Sequence, residues 1–308
     1  MSTLLLHHPK FLEHETPEGH PERADRLRAI DRILEHERFQ QLERDLAKPA
    51  EEEQIVRCHP ADYVDLLRRS VPETGLARID EDTAMSPGSF EAALLGAGAA
   101  CTAVDEVMSG KITNAFCALR PPGHHAEKAS AMGFCFFNNA AIAARHAQAV
   151  YGAERVAIMD FDVHHGNGTQ DIFWDDPTVF YGSTHQMPLY PGSGALRETG
   201  AGNIFNAPLS AGADGKAFQE AMNSRILPAM KNFKPDLVII SAGFDAHARD
   251  PLAELRLVEA DFAWATYKLM EIADQCCNSR VVSVLEGGYD LEGLARSTAA
   301  HVIALMDS

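Results

Sequence analysis

Four short apolar segments of this sequence each run directly into a cluster of reactive side chains. The segments, with the residues that follow them, are 115–119 before R-P-P-G-H-H, 156–160 before F-D-V-H-H-G, 237–242 before G-F-D-A-H and 281–285 before E-G-G-Y. Helical segments alternate with these predicted strands, which indicates an α/β fold with a central, mostly parallel sheet and helices on both faces. Ligands of such folds bind beyond the carboxyl ends of the strands, so we expect the four clusters to form one site.

The remaining sequence is typical of one domain. The chain has 308 residues, of which 46% are hydrophobic, and this is enough for a substantial core. No internal repeat, low-complexity tract or linker divides it, and we predict a single domain over residues 1–308. The other predicted elements are strands at 3–6 and 179–183, helices at 22–39, 60–67, 86–108, 138–150, 215–233, 261–275 and 291–306, and a long loop at 185–203.

Composition narrows the possible partners and the compartment. The net charge of −17 disfavours a broad nucleic-acid-binding surface. No apolar span reaches 18 residues and the N-terminal apolar run is too short for a signal peptide, so no membrane partner is expected. The six cysteines lie mostly in apolar segments without a C-x-x-C pair, which indicates buried thiols in a reducing compartment. We predict a soluble, cytoplasmic protein, and a homo-oligomer is left open.

The stretch around 158–168 carries the strongest indication of a metal. If its strand continued, Asp160, Asp162 and His164 would share one face. Such groups at the end of an apolar strand would repel one another or stay unpaired unless a cation joined them. Asp162 and His164 suit zinc or iron, and Asp245 is the best candidate for a third ligand. Three protein ligands leave positions open for water and substrate, as in a catalytic site.

Three further side chains suit acid–base chemistry and oxyanion stabilisation. His124 and His125 titrate in the range needed to move protons, and Asp160 and Asn167 are available to orient their rings. Tyr289 can donate a hydrogen bond to a developing oxyanion. Each motif alone also has an ordinary explanation, such as a turn residue, a pair of loop histidines or a half-buried tyrosine. Their combination favours a catalytic site.

In order along the chain, R-P-P-G-H-H-A, G-F-C-F-F-N-N, D-F-D-V-H-H-G-N-G-T, S-A-G-F-D-A-H and L-E-G-G-Y-D resemble motifs of the arginase/deacetylase superfamily. The resemblance is specifically to class II histone-deacetylase-like amidohydrolases, including the bacterial and acetylpolyamine enzymes, and it extends over about 7–294. It implies a zinc-dependent hydrolase that removes acetyl groups from N-ε-acetyl-lysine or similar acylated amines. Metal-activated water, a tandem-histidine acid and base, and a tyrosine that stabilises the oxyanion would perform the reaction.

The resemblance also implies a role for each site residue. The Zn²⁺ ligands, or Fe²⁺ ligands, would be Asp162, His164 and Asp245. His125 would be the principal general base and acid, oriented by Asn167. His124 would be its electrostatic partner, oriented by Asp160, and Tyr289 would be the oxyanion donor. Class I relatives have aspartate where this chain has Asn167, and we expect the neutral amide to leave His125 less basic.

A substrate channel and structural K⁺ ions are implied in the same way. Phe134 and Tyr190 would be the facing aromatic walls of the channel, and Gly133, Leu252 and Gly287 would also line it. One K⁺ site would use Asp160, Asp162, His164, Ser183 and Thr184, largely through backbone oxygens. A second would use Phe173, Asp176, Val179 and Asn203.

Other functions are open to the same catalytic residues. The first alternative is a deacetylase of acetylpolyamines or other small amides, and the remote ones are an arginase-type ureohydrolase with two manganese ions and a catalytically silent acetyl-lysine binder. Polyamine-selective relatives tend to have an acidic residue at the position of Leu252. The apolar Leu252 and the nearby cation Arg249 therefore favour acetyl-lysine substrates, whereas Glu254 could supply the missing carboxylate.

Overall fold

The structure is a computed structural model that describes residues 2–307. The fold is built on parallel strands. The strands are β1 Thr3–His7, β2 Glu43–Leu46, β3 Ala77–Arg78, β4 Ala84–Met85, β5 Asn114–Cys117, β6 Val156–Asp160, β7 Val179–Gln186, β8 Ile204–Leu209, β9 Leu237–Ala242 and β10 Val281–Leu285. Eight of them form one parallel sheet in the order β2-β1-β5-β10-β9-β6-β7-β8, and β3 and β4 form a small antiparallel pair.

Helices cover the sheet in two groups. They are α1 Asp25–Leu34, α2 Glu52–Val56, α3 Ala61–Arg69, α4 Ser89–Met108, α5 Asn139–Tyr151, α6 Asn167–Ile172, α7 Gly215–Ala221, α8 Leu227–Phe233, α9 Glu259–Cys277 and α10 Leu291–Met306. One group pairs α4 with α5, and the other pairs α10 with α1 and α9; both groups contact the central strands β5 and β9. The predicted single α/β domain with a parallel central sheet is confirmed.

Four predicted elements, at 156–160, 237–242, 281–285 and 291–306, have the bounds that the structure shows. The apolar content of the three strands among them is high because strands of a parallel sheet are buried on both faces. The structure adds two edge strands that the pattern did not predict. Strand β2 is exposed along its whole length and lacks apolar alternation, and β8 contains Pro208, which a sheet edge tolerates.

The first predicted helix, at 22–39, was too long. Helix α1 covers only Asp25–Leu34, and a short 3-10 turn follows at Glu37–Phe39. Glu22 lies before the helix, and its carboxylate is fully buried. There it accepts hydrogen bonds from Arg26 and Arg120. The predicted helix at 215–233 consists of α7 and α8 joined by a π-helical segment at Met222–Ile226.

Strands β5, β10, β9 and β6 are neighbours at the centre of the sheet, and their carboxyl ends therefore point to one place. The register pairs Asp160 with Ser241 on β9 and with Ser183 on β7. Strand β6 ends at Asp160, so Asp162 and His164 lie in the following loop and not on one strand face as predicted. Hydrogen bonds shape this loop: Asp162 N donates to Asp160 Oδ1 (3.1 Å) and His164 N donates to Asp162 Oδ1 (2.9 Å).

All six cysteines are free thiols, and Cys276 alone among them is only half-buried. Over residues 2–307, no helix has both the length and the apolar character that crossing a membrane requires.

Candidate active site

The loops after β6 and β9 bring the three predicted metal ligands together. Asp162, His164 and Asp245 are buried, and one ligand atom from each lies within 4.8 Å of the others. His164 Nδ1 is 3.1 Å from Asp162 Oδ1 and 3.1 Å from Asp245 Oδ2. Within residues 2–307, no other group of three or more His, Cys, Asp or Glu side chains has its ligand atoms this close together. The arrangement therefore suits a single ion.

The electrostatics of this cluster fit a divalent cation. Burial and the neighbouring Asp162 raise the pKa of Asp245 to about 7. Burial alone would lower the pKa of His164, but its hydrogen bonds to the two carboxylates outweigh this and raise the pKa to about 10. The buried carboxylates of Asp162 and Asp245 therefore need a positive charge beside them. In this cluster His164 can supply that charge only when its ring is protonated. A cation bound between them would supply that charge and leave the imidazole neutral.

The tandem histidines each have a fixed partner on one ring nitrogen. His124 Nδ1 donates to Asp160 Oδ2 (2.9 Å), which also accepts from the Tyr181 hydroxyl (3.0 Å). His125 Nδ1 donates to Asn167 Oδ1 (2.8 Å), and the other end of this amide donates to Glu127 Oε1 (2.8 Å). Because the Asn167 oxygen accepts from Nδ1, the neutral His125 ring has its lone pair on Nε2.

The two histidines have opposite pKa shifts. Burial lowers the pKa of His124, but nearby carboxylates, first Asp162 and then Asp160, outweigh it and hold that pKa well above the ordinary value. Burial, followed by the cationic His124, lowers the pKa of His125 well below the ordinary value. His125 is therefore neutral and able to accept a proton beside a charged His124. The low pKa comes from burial and from the charges of His124 and His164, since the hydrogen bond to Asn167 acts in the opposite direction.

Tyr289 lies after β10 with its ring held on two sides. The Arg26 guanidinium is 5.0 Å from the ring centroid, and the Phe134 ring meets the Tyr289 ring edge-on at 6.0 Å. Burial raises the pKa of Tyr289 well above its ordinary value, although Arg26 opposes the shift. The phenol therefore keeps its proton and can donate a hydrogen bond.

A cavity of about 210 Å³ opens above these residues. Its lining includes the predicted residues His125, Gly133, Phe134, His164, Tyr190, Leu252 and Tyr289, and two that were not predicted, Asp82 and Leu189. Gly133 has a φ of 56°, and a Cβ there would lie 2.4 Å from the His125 ring, so a side chain at this position would displace the histidine.

Gly287, which was predicted to line the channel, is not among the residues that line this cavity. Its amide donates to Asp162 Oδ2 (2.8 Å). A Cβ at Gly287 would lie 2.2 Å from Asp245 Oδ2 and 2.6 Å from Asp162 Oδ2. The absence of a side chain there lets the β10 loop approach the ligand carboxylates.

The residues predicted for the first K⁺ site suit a cation. Asp160 and Ser183 pair across neighbouring strands, and Thr184 follows on β7. The Thr184 hydroxyl oxygen is buried without a hydrogen-bond partner among the described residues. An unpaired buried oxygen beside these strand ends fits an oxygen-liganded ion.

Asn203 lies among the backbone oxygens that were predicted for the second K⁺ site. Asn203 Nδ2 donates to the carbonyl oxygens of Phe173 (2.9 Å), Asp176 (3.0 Å) and Val179 (2.8 Å). Asn203 Oδ1 faces away and accepts from Ala201 N (3.1 Å). The side-chain nitrogen of Asn203 thus takes the place among the three carbonyls that a cation would need. Asn203 was predicted as a ligand of the ion, and in this structure its amide is a hydrogen-bond donor to the cluster.

Several residues of the site were not predicted. Glu286 Oε2 accepts from the backbone N–H groups of Gly123 (2.7 Å) and His124 (3.1 Å), which holds the histidine loop against β10. Arg26 Nε donates to the Gly288 carbonyl (2.6 Å) beside Tyr289. The only indication of Glu286 in the sequence was its place within the L-E-G-G-Y-D motif. Nothing in the sequence indicated Asp82 or Arg26, because their contacts join distant parts of the chain.

Comparison with known proteins identifies relatives along almost the whole chain. The model of the histone deacetylase domain matches residues 20–305. A histone deacetylase-like amidohydrolase of Pseudomonas aeruginosa is 39% identical over 88% of this chain and 73% of its own length. Human polyamine deacetylase HDAC10 is 37% identical over 99% of this chain, which spans 48% of that protein. The crystal structure of the HDA15 HD domain superposes with a TM-score of 0.94 at 36% identity, covering 100% of this chain and 88% of that one.

Proposed function

The chain belongs to the histone deacetylase family and is a hydrolase that acts on amides, and from this premise we propose a metal-dependent deacetylase of N-ε-acetyl-lysine or similar acylated amines. One observation carries the proposal. The ligand His164, the neutral base His125 and the protonated phenol of Tyr289 all line the same cavity. An acyl carbonyl placed there would be within reach of all three groups.

Each side chain has a task that follows from its surroundings. His125, whose Nδ1 proton is held by Asn167, uses Nε2 to take a proton from the attacking water and to return it to the departing amine. Tyr289 donates a hydrogen bond to the carbonyl oxygen as negative charge develops. Zn²⁺ or Fe²⁺ held by Asp162, His164 and Asp245 would supply Lewis acidity and lower the pKa of a water molecule.

The walls of the cavity suit a narrow aliphatic chain. Phe134 and the 39% exposed Tyr190 line it, and Tyr190 meets the His125 ring edge-on at 5.2 Å. Aromatic faces of this kind bury methylene groups while leaving the carbonyl free for polar contacts. The four methylenes of an acetylated lysine match this environment.

The residues after Asp245 favour acetyl-lysine over polyamines. Leu252 lines the cavity and places an apolar side chain where a second cation would need a carboxylate. Glu254 is exposed and is not among the lining residues; its backbone N–H donates to Gln186 Oε1 (2.8 Å). Arg249 is exposed but pairs with Asp290 (3.1 Å) and Glu292 (2.8 Å), so its charge is largely compensated. Leu252 therefore carries this preference.

A polyamine deacetylase is the second candidate, and Asp82 is the observation that favours it. This half-buried carboxylate lines the cavity, where its Oδ1 accepts from Gly133 N (3.0 Å) and from the Thr83 hydroxyl (2.8 Å). A carboxylate beside the channel can pair with a distant ammonium group of a polyamine. The similarity to human polyamine deacetylase HDAC10 points in the same direction.

The two remote alternatives have less support. A two-manganese ureohydrolase needs more carboxylates than the single three-residue cluster described within residues 2–307. A silent binder has usually lost a ligand or the tyrosine, and this chain retains Asp162, His164, Asp245 and Tyr289.

The test is turnover by metal-defined protein of an acetyl-lysine peptide, acetylspermidine and a trifluoroacetyl-lysine peptide side by side. We expect the highest kcat/KM among natural acyl groups on the acetyl-lysine peptide. A higher kcat/KM on acetylspermidine would select the second candidate. No turnover of any of the three substrates by the zinc-loaded or iron-loaded protein would refute the deacetylase proposal.

A further inference from the structure

Asp250 joins the loop after β9, which contains Leu252, to the loop after β10, which contains Tyr289. Its carboxylate is only 8% exposed, and both oxygens accept hydrogen bonds from backbone N–H groups. Oδ1 accepts from Leu252 N (3.0 Å), whereas Oδ2 accepts from Tyr289 N (2.8 Å) and Asp290 N (3.3 Å). One buried side chain therefore connects the cavity residue Leu252 with the tyrosine of the site.

No lysine or arginine within residues 2–307 forms an ion pair with Asp250. The neighbouring Arg249 turns outward to Asp290 and Glu292. The charge of Asp250 is thus stabilised by backbone amides, each of which becomes an unpaired donor if the carboxylate is removed. The position of these amides depends on this one group.

The backbone at Tyr289 needs a hydrogen bond of this kind to fix its position. It follows Gly287 and Gly288, and Gly288 has a φ of 123°, so the chain on its amino side is conformationally permissive. Arg26 holds the Gly288 carbonyl (2.6 Å) and packs on the tyrosine ring, but it does not hold the Tyr289 amide. Asp250 Oδ2 is the acceptor for that amide.

We propose that Asp250 is a positioning residue that fixes the Tyr289 phenol relative to the channel and its entrance at Leu252. The inference rests on the proposed function, since it assumes that Tyr289 stabilises the oxyanion. When the carboxylate is lost, the Tyr289 loop separates from the β9 loop and the phenol leaves the carbonyl oxygen. A misplacement of about 1 Å is enough to cost on the order of 100-fold in rate.

A purely structural role is the competing explanation, and the molecule contains a matched control for it. Asp236, at the opposite end of the sheet, also accepts from two consecutive backbone N–H groups, those of Glu154 (2.9 Å) and Arg155 (2.9 Å). Removing the Asp236 carboxylate breaks two hydrogen bonds to backbone N–H groups, and removing the Asp250 carboxylate breaks three. Only the loss of Asp250 should act on Tyr289.

The experiment is a double-mutant cycle with Asp250→Ala and Tyr289→Phe, with Asp236→Ala as the control. On an acetyl-lysine peptide, Asp250→Ala should lower kcat about 10- to 100-fold, with KM and metal content within about twofold of wild type. In the Tyr289→Phe background the same substitution should cost less than about threefold, because the group it positions is already absent. Asp236→Ala should leave kcat within about twofold.

Equal loss in both backgrounds, wild-type kcat for Asp250→Ala, or a comparable loss of kcat for Asp236→Ala would each overturn the inference. If Asp250→Ala does not fold, Asp250→Asn replaces it in the cycle. Both oxygens of Asp250 are used, so the amide must turn its NH₂ toward a backbone donor, and an intermediate loss with the same dependence on Tyr289 is expected.

A crystal structure of the variant separates this inference from the proposed function. If the wild type turns over none of the acyl substrates, the proposed function fails, but the positioning claim is still tested. In Asp250→Ala, or in Asp250→Asn if only that variant folds, the Tyr289 hydroxyl should move by about 1 Å or more or lose its defined position. An unmoved Tyr289 would overturn the inference whatever the activity.

Discussion

The two ends of the eight-stranded sheet use polar residues in different ways. At the amino ends of β6, β9 and β10, the chain turns through the positive-φ residues Gly152, Lys234 and Asn278. These residues end helices, and Asp236 satisfies two backbone donors nearby. The polar groups at this end mainly satisfy the local backbone.

At the carboxyl ends, buried ionisable side chains lie close to one another in the loops that follow β6, β9 and β10. Burial raises the pKa of Asp245 to about 7 and that of Glu286 to about 7, and His124 is held protonated by neighbouring carboxylates. Charges buried at such positions lower the stability of the fold unless a bound cation or substrate pairs with them. We therefore expect the same kind of substitution to have different effects on activity at the two ends of the sheet.

The largest expected effect is at the metal ligands. Asp245→Ala removes one of two ligand carboxylates, so the content of zinc-class metal should fall from about one ion per chain to near zero. Turnover should fall by more than about 1,000-fold, beyond the loss of a single oxyanion donor. Elemental analysis and turnover check this, with Asp236→Ala as the control that retains its metal.

The fold should survive Asp245→Ala, because the substitution relieves the repulsion between two buried carboxylates and leaves Asp162 to pair with His164. Thermal unfolding monitored by circular dichroism tests that point. Two stoichiometric manganese ions with release of urea from arginine would contradict the single-ion site itself.

The next effect concerns the oxyanion donor. Tyr289→Phe removes one hydroxyl while the ring keeps its contacts with Arg26 and Phe134. We expect kcat to fall about 100- to 1,000-fold with little change in KM, because the lost hydrogen bond strengthens only in the transition state. Steady-state kinetics on the acetyl-lysine peptide measures both constants. Wild-type turnover in this variant would remove Tyr289 from the mechanism.

The elements that form this end of the sheet were predictable from local patterns. Strands β6, β9 and β10 are continuous apolar segments, and the residues after them include Asp162, His164 and Asp245. An apolar strand followed by reactive residues is a local signal, and the parallel fold then brings its copies together. For this reason the proximity of Asp162, His164 and Asp245 could be predicted from the sequence.

Residues that reach the site from distant parts of the chain could not be predicted. Asp82 meets Gly133 across 51 positions, and Arg26 meets Gly288 across 262. Asp250 belongs to a segment that the sequence analysis considered, but its role depends on how closely the β10 loop approaches. Asn203 was predicted as a cation ligand, and the contacts of its amide with three carbonyl oxygens, which only the folded structure sets, could not be predicted from the sequence.

A smaller effect is expected on substrate choice. Leu252→Glu would place a second carboxylate on a cavity that already contains Asp82, and it should shift kcat/KM toward acetylspermidine over the acetyl-lysine peptide. A shift of roughly 10- to 100-fold corresponds to about 1.4–2.8 kcal/mol. Leu252→Gln is the matched control, with similar size and no charge. A wild type that already prefers acetylspermidine would contradict the role of Leu252 and favour Asp82 as the selective residue.

The smallest effect on activity is expected at the amino end. Asp236 Oδ2 alone accepts both Glu154 N and Arg155 N, just before β6. Strand β6 rises about 3.3 Å per residue, so this contact lies roughly 15 Å from the ligands. Because Asp236 is half-buried and water can replace the carboxylate, Asp236→Ala should cost about 1–2 kcal/mol in the free energy of unfolding. We expect kcat and metal content to stay within about twofold of wild type.

The corresponding amide variants sharpen the comparison further. Asp236→Asn retains the one oxygen that both amides need, so its loss of stability should be smaller than that of Asp236→Ala. Asp250→Asn cannot retain both of its accepting oxygens and should lose kcat. Denaturant unfolding and steady-state kinetics on the two pairs measure these outcomes. A kcat more than about tenfold below wild type for Asp236→Asn would show that the amino end also controls the site, and the contrast between the two ends would then be lost.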